Sequence, residues 1–361
     1  MVFDQGNLEV NLWHRLNRGE TSVDFVGGRR LWFRISVGAI AITLIALALR
    51  GGLNLGIEFE GGVSVTGPNP AGAGVEDFRA VTNQVGVDDA VIQLVNDGDG
   101  FRVQTVALDP ALENQLLDGI ARVSGNERTD LSIDAVGPSF GALILRQSLV
   151  ALIVFLVAVT LFMTWRLELK MALAGLVALM HDLALTAGVY AVTGFEVTPA
   201  TVVALLTILG YSLYDTVVVF EKIREMAGQF GDRLTYSEVV NRSMNLVLSR
   251  SLNTSLTSLL TVGSILFVGS FILGATTLED FALALFVGLA ASTYSSIFVA
   301  APLLATWKEK EEAWAHRRRK IEARLRTDPQ PSPSPVARSS AATAPRPGTR
   351  PPPRPPKKRA R

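Results

Sequence analysis

Thr207-Ile-Leu-Gly-Tyr-Ser-Leu-Tyr-Asp215-Thr-Val-Val-Val-Phe-Glu221 decides how this chain is read. It ends an apolar run from Pro199 to Phe220 that is about one bilayer long. A single acid, Asp215, stands inside that run. An ionisable side chain within a membrane span is costly and marks an ion path or a buried pair. The stretch therefore says that the chain crosses a membrane, and that Asp215 is its first candidate for chemistry.

Working outward, five further runs have similar length: Leu31 to Leu49, Gln147 to Trp165, Met171 to Val192, Ser251 to Leu273 and Phe281 to Leu304. Arg34 lies near enough to the start of the first to snorkel. The run from Ser251 is rich in Ser and Thr, which lipid tolerates when the hydroxyls bond within the helix or face another helix. Six spans fit a chain of 361 residues that is 48% hydrophobic with a mean hydropathy of +0.32. A soluble protein of that length needs more polar surface. No small-residue cleavage site follows the first span, so it is expected to be retained rather than removed as a signal.

Charge orients the set. Arg166 and Lys170 separate spans two and three, and Lys222, Arg224, Arg233 and Arg242 separate spans four and five. Residues 193–198 and 274–280 carry no Lys or Arg. Basic short loops stay inside, which predicts both termini in the cytoplasm and residues 51–140 outside. That outer stretch holds 14 acidic residues against 4 basic, whereas residues 303–361 hold 16 basic against 5 acidic. There is no cysteine, which excludes disulfides, zinc–thiolate sites and thiol catalysis.

The outer stretch reads as a folded α+β domain. Strands are predicted near Val63 to Thr66, Ala90 to Val95, Phe101 to Ala107 and Leu131 to Val136. Helices are predicted over Val75 to Val85 and Pro110 to Val123, the second capped by Asp109. Asn96-Asp97-Gly98-Asp99-Gly100 is a turn. The order β-α-β-β-α-β is that of a ferredoxin-like domain. The expected architecture is thus a membrane all-α six-helix bundle with an inserted ferredoxin-like extracytoplasmic domain. Its parts are an amino-terminal segment (1–30), a first span (31–50), the outer domain (51–140), spans two to six (141–305) and a basic tail (306–361). Eleven of the 17 prolines lie beyond Asp328, so the tail is expected to be disordered.

Arg250, at the start of the fifth run, is the natural partner of Asp215, since consecutive spans bring the two to similar depth. The plainer alternatives are a static pair that locks helices together, and an Arg250 that only anchors the inner boundary. Thr254, Thr257 and Thr261 follow Arg250 at spacings of 4, 3 and 4 and form one stripe, flanked by Asn253 and Ser258. A polar stripe with a charge at its base suits water or a proton path, though Ser and Thr also serve as small packing residues. His181-Asp182 in span three is a second intramembrane ionisable cluster. It suits either a proton relay or a helix–helix hydrogen bond. No nucleotide loop, zinc motif or nucleophile elbow is present, so no cofactor and no enzyme activity are expected. Gly56-Ile-Glu-Phe-Glu-Gly61-Gly62 reads as the turn that feeds the outer domain.

These same residues carry a resemblance. Gly56 to Gly62, Val136-Gly-Pro-Ser-Phe-Gly141, Ala178-Leu-Met-His-Asp182, Tyr211 to Glu225 and Asn241 to Leu259 resemble motifs of the SecD/SecF protein-export family, on its SecF side. The resemblance implies a bacterial cytoplasmic membrane protein that pairs with SecD, acts with the SecYEG channel on a translocating preprotein, and draws on the proton gradient. It also implies that Asp215 and Arg250 take part in proton conduction. Glu58 and Glu60 stand where an Asp and a small hydroxyl residue are more usual, and Tyr214 where a small polar residue is common. The basic tail lies outside the resemblance. Anionic lipid, or solvent alone, is expected around it in preference to nucleic acid. The alternative readings are a half-size proton-driven exporter of small molecules or lipids, and a structural subunit without ion transport.

Overall fold

In the computed structural model, residue 21, residues 23–272 and residues 276–327 are described. Among these, six helices are long and apolar enough to cross a membrane. They are α1 (Arg29–Arg50), α4 (Pro138–Arg166), α5 (Leu169–Thr193), α6 (Pro199–Phe230), α7 (Tyr236–Ser264) and α8 (Thr276–Ser295). Helix α7 runs on as a π-helix over Ile265–Ile272. Helix α8 passes through a π-helical turn, Ser296–Ala300, into α9 (Ala301–Lys308). Pro302 accounts for the change in α8, because it lacks the N–H that a regular helix would spend on the carbonyl four residues back.

The helices outrun the apolar segments that announce them. The fourth extends ten residues past Phe220, and the fifth begins at Tyr236 rather than Ser251. Hydropathy locates the part of a helix that lipid covers, whereas backbone hydrogen bonding continues until a cap stops it. Here the cap of α7 is Thr235. Its Oγ1 accepts from the Glu238 N–H at 3.3 Å while the Glu238 carboxylate accepts from the Thr235 N–H at 2.7 Å.

Residues 62–136 form the sheet domain. The strands are β1 (Gly62–Pro68), β2 (Val91–Val95), β3 (Gly100–Thr105) and β4 (Ser132–Val136), with α2 (Val75–Gln84) and α3 (Pro110–Ser124) between them. The sheet is antiparallel in the order β2-β3-β1-β4. Val63, Val65, Phe101 and Val103 point to one face and pack with Phe78, Leu116 and Ile120, as the period of two requires. Asp97 adopts the left-handed conformation in the β2–β3 turn. Asp109 occupies the cap position of α3 but makes no capping hydrogen bond; Pro110 at the first helical position itself removes one orphan donor.

The other sheet face, with Ser64, Thr66, Arg102 and Gln104, roofs a cleft of about 710 Å³ above the ends of α6 and α8. Gln104 donates to Glu196 at 2.9 Å across it. The Gly61-Gly62 pair makes the junction with α4. Gly61 has φ +83°, and a Cβ there would stand 2.6 Å from Pro138 Cα; one on Gly62 would stand 2.3 Å from the Thr105 carbonyl oxygen. Only glycine fits where the chain turns and backbones touch.

The bundle core is small-residue rich. Ala172, Ala174, Ala178, Ala300, Ala301 and Ala305 are buried among Met163, Met171, Phe220 and Leu304, which lets helix axes approach closely. Phe25 and Val26 of the amino-terminal segment join this core, held by the Asn241 and Asn245 side chains of α7. At the same end, residues 312–327 correct the expectation of a tail from residue 306. They form helix α10 (Glu312–Thr327), because Trp314 and Ile321, seven apart on one face, are buried and Trp314 meets Tyr236 edge-on at 4.8 Å. Glu311 accepts from Lys170 and Lys308, both at 2.9 Å. Burial pushes the Glu311 carboxyl up, but the hydrogen bonds and charges of the two lysines prevail and hold it below the usual carboxylate range. The rest of the expected tail, residues 328–361, lies outside the described residues, as do residues 1–20.

Candidate functional site: a hydroxyl-lined pair of carboxylates

Asp215 lies 15 residues before Phe230, where α6 ends, and Arg250 lies 14 residues after Tyr236, where α7 begins. Because α6 and α7 are antiparallel neighbours, equal distance from their hairpin means equal depth. At ~1.5 Å per residue both stand roughly 22 Å from the hairpin end of their helices, part of which lies beyond the apolar run.

The two charges are close but do not bond. Both carboxylate oxygens of Asp215 accept from the Ser251 hydroxyl at 2.8 Å. The Arg250 guanidinium instead donates to the Tyr214 hydroxyl at 3.0 Å on the exposed side of the hairpin. Consecutive helical residues point about 100° apart, so Asp215 and Ser251 face inward while Tyr214 and Arg250 face out. Arg250 still acts on Asp215 through its field. The direct ion pair expected from sequence is thus replaced by a serine–carboxylate contact with the cation one residue aside.

The polar stripe is likewise turned outward. Asn253, Thr254, Thr257 and Thr261 are exposed on the chain's own surface. Thr254, Thr257 and Thr261 return their hydroxyls to the carbonyls of Arg250, Asn253 and Thr257 at 2.8, 2.8 and 3.0 Å. Thr254 and Ser258, with Asp215, Tyr214 and Ser292, line a small pocket of about 30 Å³.

Asp182 is 1% exposed, in the middle of the bundle. Its Oδ2 accepts from Ser212 of α6 at 2.7 Å. Its Oδ1 lies 3.6 Å from His181 Nδ1, and neither atom finds a hydrogen-bond partner among the described residues; nor does His181 Nε2. The His181 ring stacks on Tyr294 of α8 at 5.8 Å. Tyr294 in turn donates to the Trp32 carbonyl at 2.9 Å and accepts from Ser36 at 3.3 Å, which ties α1 to this layer.

Between the two acids lie hydroxyls that the sequence reading did not single out. Ser212 and Thr216 are one turn apart on α6 and buried, and Ser295 and Ser296 on α8 are fully buried. Thr216 and Ser296 share a hydrogen bond at 3.3 Å. Ser295 faces Asp182 and Ser296 faces Asp215. The signal was present: Ser292-Thr-Tyr-Ser-Ser296 is an unbroken polar run inside the sixth span. Among the described residues no His/Asp/Glu group is placed to hold a metal ion.

The family model described as Protein export membrane protein SecD/SecF, C-terminal, matches residues 118–310, and the SecD/SecF GG motif matches residues 47–66. Protein translocase subunit SecF of Streptomyces coelicolor is 43% identical over 299 residues, 82% of this chain and 80% of that one. The SecF subunit of Mycobacterium tuberculosis is 39% identical over 322 residues, 85% of this chain and 72% of that one. Among solved structures, SecDF of Thermus thermophilus, described as a translocon-associated membrane protein, superposes with a TM-score of 0.71 at 32% identity. The match covers 83% of this chain but only 42% of that longer one.

Proposed function

The chain belongs to the SecD/SecF family of protein-export membrane proteins, and from that premise we propose that it is the SecF half of a proton-driven accessory machine of the Sec translocase. The observation that carries the reading is Asp215, an acid deep in a membrane helix, bonded to Ser251, with Arg250 alongside and an uncovered polar face next to both.

That face is the argument for a partner. Arg250 and Asn253 carry polar groups into a depth where lipid offers no hydrogen bonds. A second helical half covering α6 and α7 would satisfy them. The fused Thermus relative, of which this chain matches about two fifths, makes a SecD half the fitting occupant. Its arrival would enclose Asp215, Arg250 and the threonine stripe between two bundles, where transporters commonly place their ion sites.

We read both termini as cytoplasmic and the sheet domain as outside, on the basic loops between α4 and α5 and between α6 and α7. The β-α-β-β-α-β order with a β2-β3-β1-β4 sheet supports a ferredoxin-like outer domain. One charge crossing ~100 mV releases ~2.3 kcal/mol, so a few protons can drive the outer domain through a cycle that assists a preprotein leaving SecYEG. The test is Asp215→Asn in the co-expressed SecD pair. Insertion and pairing should persist while gradient-dependent stimulation of export disappears; stimulation at the unmodified level would overturn the proton reading.

A further inference from the structure

The cleft of about 710 Å³ between the sheet domain and the bundle takes no part in the chemistry of Asp215. Five carboxylates line it. Asp99 and Asp134 come from the sheet domain, Glu58 from the short helix Ile57–Glu60 ahead of β1, and Glu196 and Asp280 from the bundle. The single cation among the described lining residues is Arg102, which makes no ion pair and donates no side-chain hydrogen bond among them. A second chamber of about 180 Å³ adjoins, sharing Arg102, Glu196 and Asp280 and adding Glu279. Acids gathered around one cavity repel each other, and a cleft lined by one sign of charge concentrates counter-ions.

The register of the sheet builds the roof. Gln104, Ser64 and Asp134 lie directly opposite one another on β3, β1 and β4, and Arg102, Thr66 and Ser132 form the next row. Opposite residues share a face, and the face recurs every second residue, so both rows look into the cleft. Ser64 is 6% exposed, yet its hydroxyl has no hydrogen-bond partner among the described residues. Gln104 is 9% exposed; it gives an amide N–H to Glu196 at 2.9 Å, and its carbonyl oxygen has no donor among the described residues. Buried polar atoms without partners are uncommon in folded proteins. Both side chains line the cleft, and each offers an acceptor to a donor placed there. An acidic surface that only holds water has no need of such a roof.

The acids are spread around the walls, and among the described residues no three of them are placed to hold one metal ion. That arrangement suits a ligand with several N–H donors better than a bare cation. An ammonium carries three donors and a guanidinium five, and neither has an acceptor to clash with the carboxylates. We propose that the cleft is a binding site for organic cations, primary ammonium or guanidinium groups, held by Asp134, Glu196 and Asp280 under the acceptors of Ser64 and Gln104. Its volume falls within the range of ligand pockets. Such groups arrive on a free polyamine or as the lysine and arginine side chains of a polypeptide. Arg102 offsets part of the acidic charge and repels a second cation, so it limits the affinity.

The test is to titrate the purified full chain in detergent, at physiological ionic strength, with spermidine and with a short peptide of alternating lysine and serine. Saturable binding of at least one is expected, and a glutamate–serine peptide should not bind. Asp134→Asn combined with Glu196→Gln should weaken binding about tenfold. Asp134 is exposed and makes no hydrogen bond among the described residues, and Glu196→Gln keeps an oxygen that can accept from Gln104, so both changes spare the fold. Arg102→Gln should tighten binding about threefold, a direction that damage to the fold does not produce. Cation binding here is independent of proton transport, so Asp215→Asn should leave the affinity unchanged. Tighter binding of spermidine identifies the free polyamine as the source, and tighter binding of the peptide identifies polypeptide side chains. No binding of either probe, equal affinity in the double variant, or weaker binding in Arg102→Gln would overturn the site.

Discussion

Arg250 and Asp215 share a depth in the membrane without sharing a hydrogen bond: the guanidinium is held by Tyr214 at 3.0 Å, and the carboxylate by Ser251 at 2.8 Å. Ser251, which is 4% exposed, is therefore the residue whose loss the carboxylate feels most directly. Ser251→Ala leaves a buried acceptor unserved and is expected to lower stability by about 1–3 kcal/mol. Thr254→Ala, one turn along, removes a hydroxyl that bonds only its own helix and should change stability by less than about 0.5 kcal/mol. Thermal unfolding of the two purified variants in one detergent makes the comparison; equal losses would refute the assignment.

The outward threonine stripe separates a lipid-facing surface from a partner-facing one. Thr257 is exposed and its hydroxyl is satisfied within α7. Thr257→Leu is expected to leave the isolated chain folded, and to reduce co-purification of the SecD half, because a larger side chain obstructs close helix contact. Undiminished recovery of the partner would mean that this face meets lipid.

Close packing between α6 and α8 turns on one glycine. A Cβ at Gly288 would lie 2.2 Å from Ile208 Cδ1. Gly288→Ala should destabilise the bundle by about 1–3 kcal/mol, the usual cost of overpacking. Adding Ile208→Val withdraws that methyl but leaves Cγ1 and Cγ2 at 2.9 Å from the new Cβ, so it should restore only part of the loss. A double variant no more stable than the single would show that the strain lies elsewhere.

At the other end of the bundle, the seat of α10 should weaken in acid. Glu311 titrates below its ordinary range when folded, so its contribution is complete above the unfolded value near 4.5 and is lost as pH falls through the folded one. The carboxylate is partly exposed, which limits the effect to less than about 1 kcal/mol. Protection factors over residues 312–323, which divide out the intrinsic pH dependence of exchange, should fall in the unmodified chain as pH drops below about 4.5. In Glu311→Gln they should be lower at neutral pH and flatter as the pH is lowered. A parallel pH dependence in both proteins would exclude Glu311 as the cause.

Much of this molecule is written along the chain. The six apolar runs, the alternation of β1 to β4, the turn at Asn96 to Gly100 and the Gly61-Gly62 junction are local. Each depends on residues a few positions apart, through period, turn chemistry or the steric freedom of glycine. The identity of Asp215, Arg250 and His181-Asp182 as the intramembrane ionisable groups is local in the same way, because a polar group in an apolar run stands out whatever surrounds it. Helix ends were less legible, since α6 and α7 continue through polar residues until capped. What only the tertiary structure decided is who touches whom. Arg250 turned to Tyr214, the threonine stripe turned outward, and Trp314 with Ile321 drew residues 312–327 back against the bundle. Ser212, Thr216, Ser295 and Ser296 acquired a role only when three helices met. Hydropathy fixes depth and periodicity fixes a face. The azimuth of one helix against another is set by the packing of all six side-chain surfaces together, and no single segment contains it.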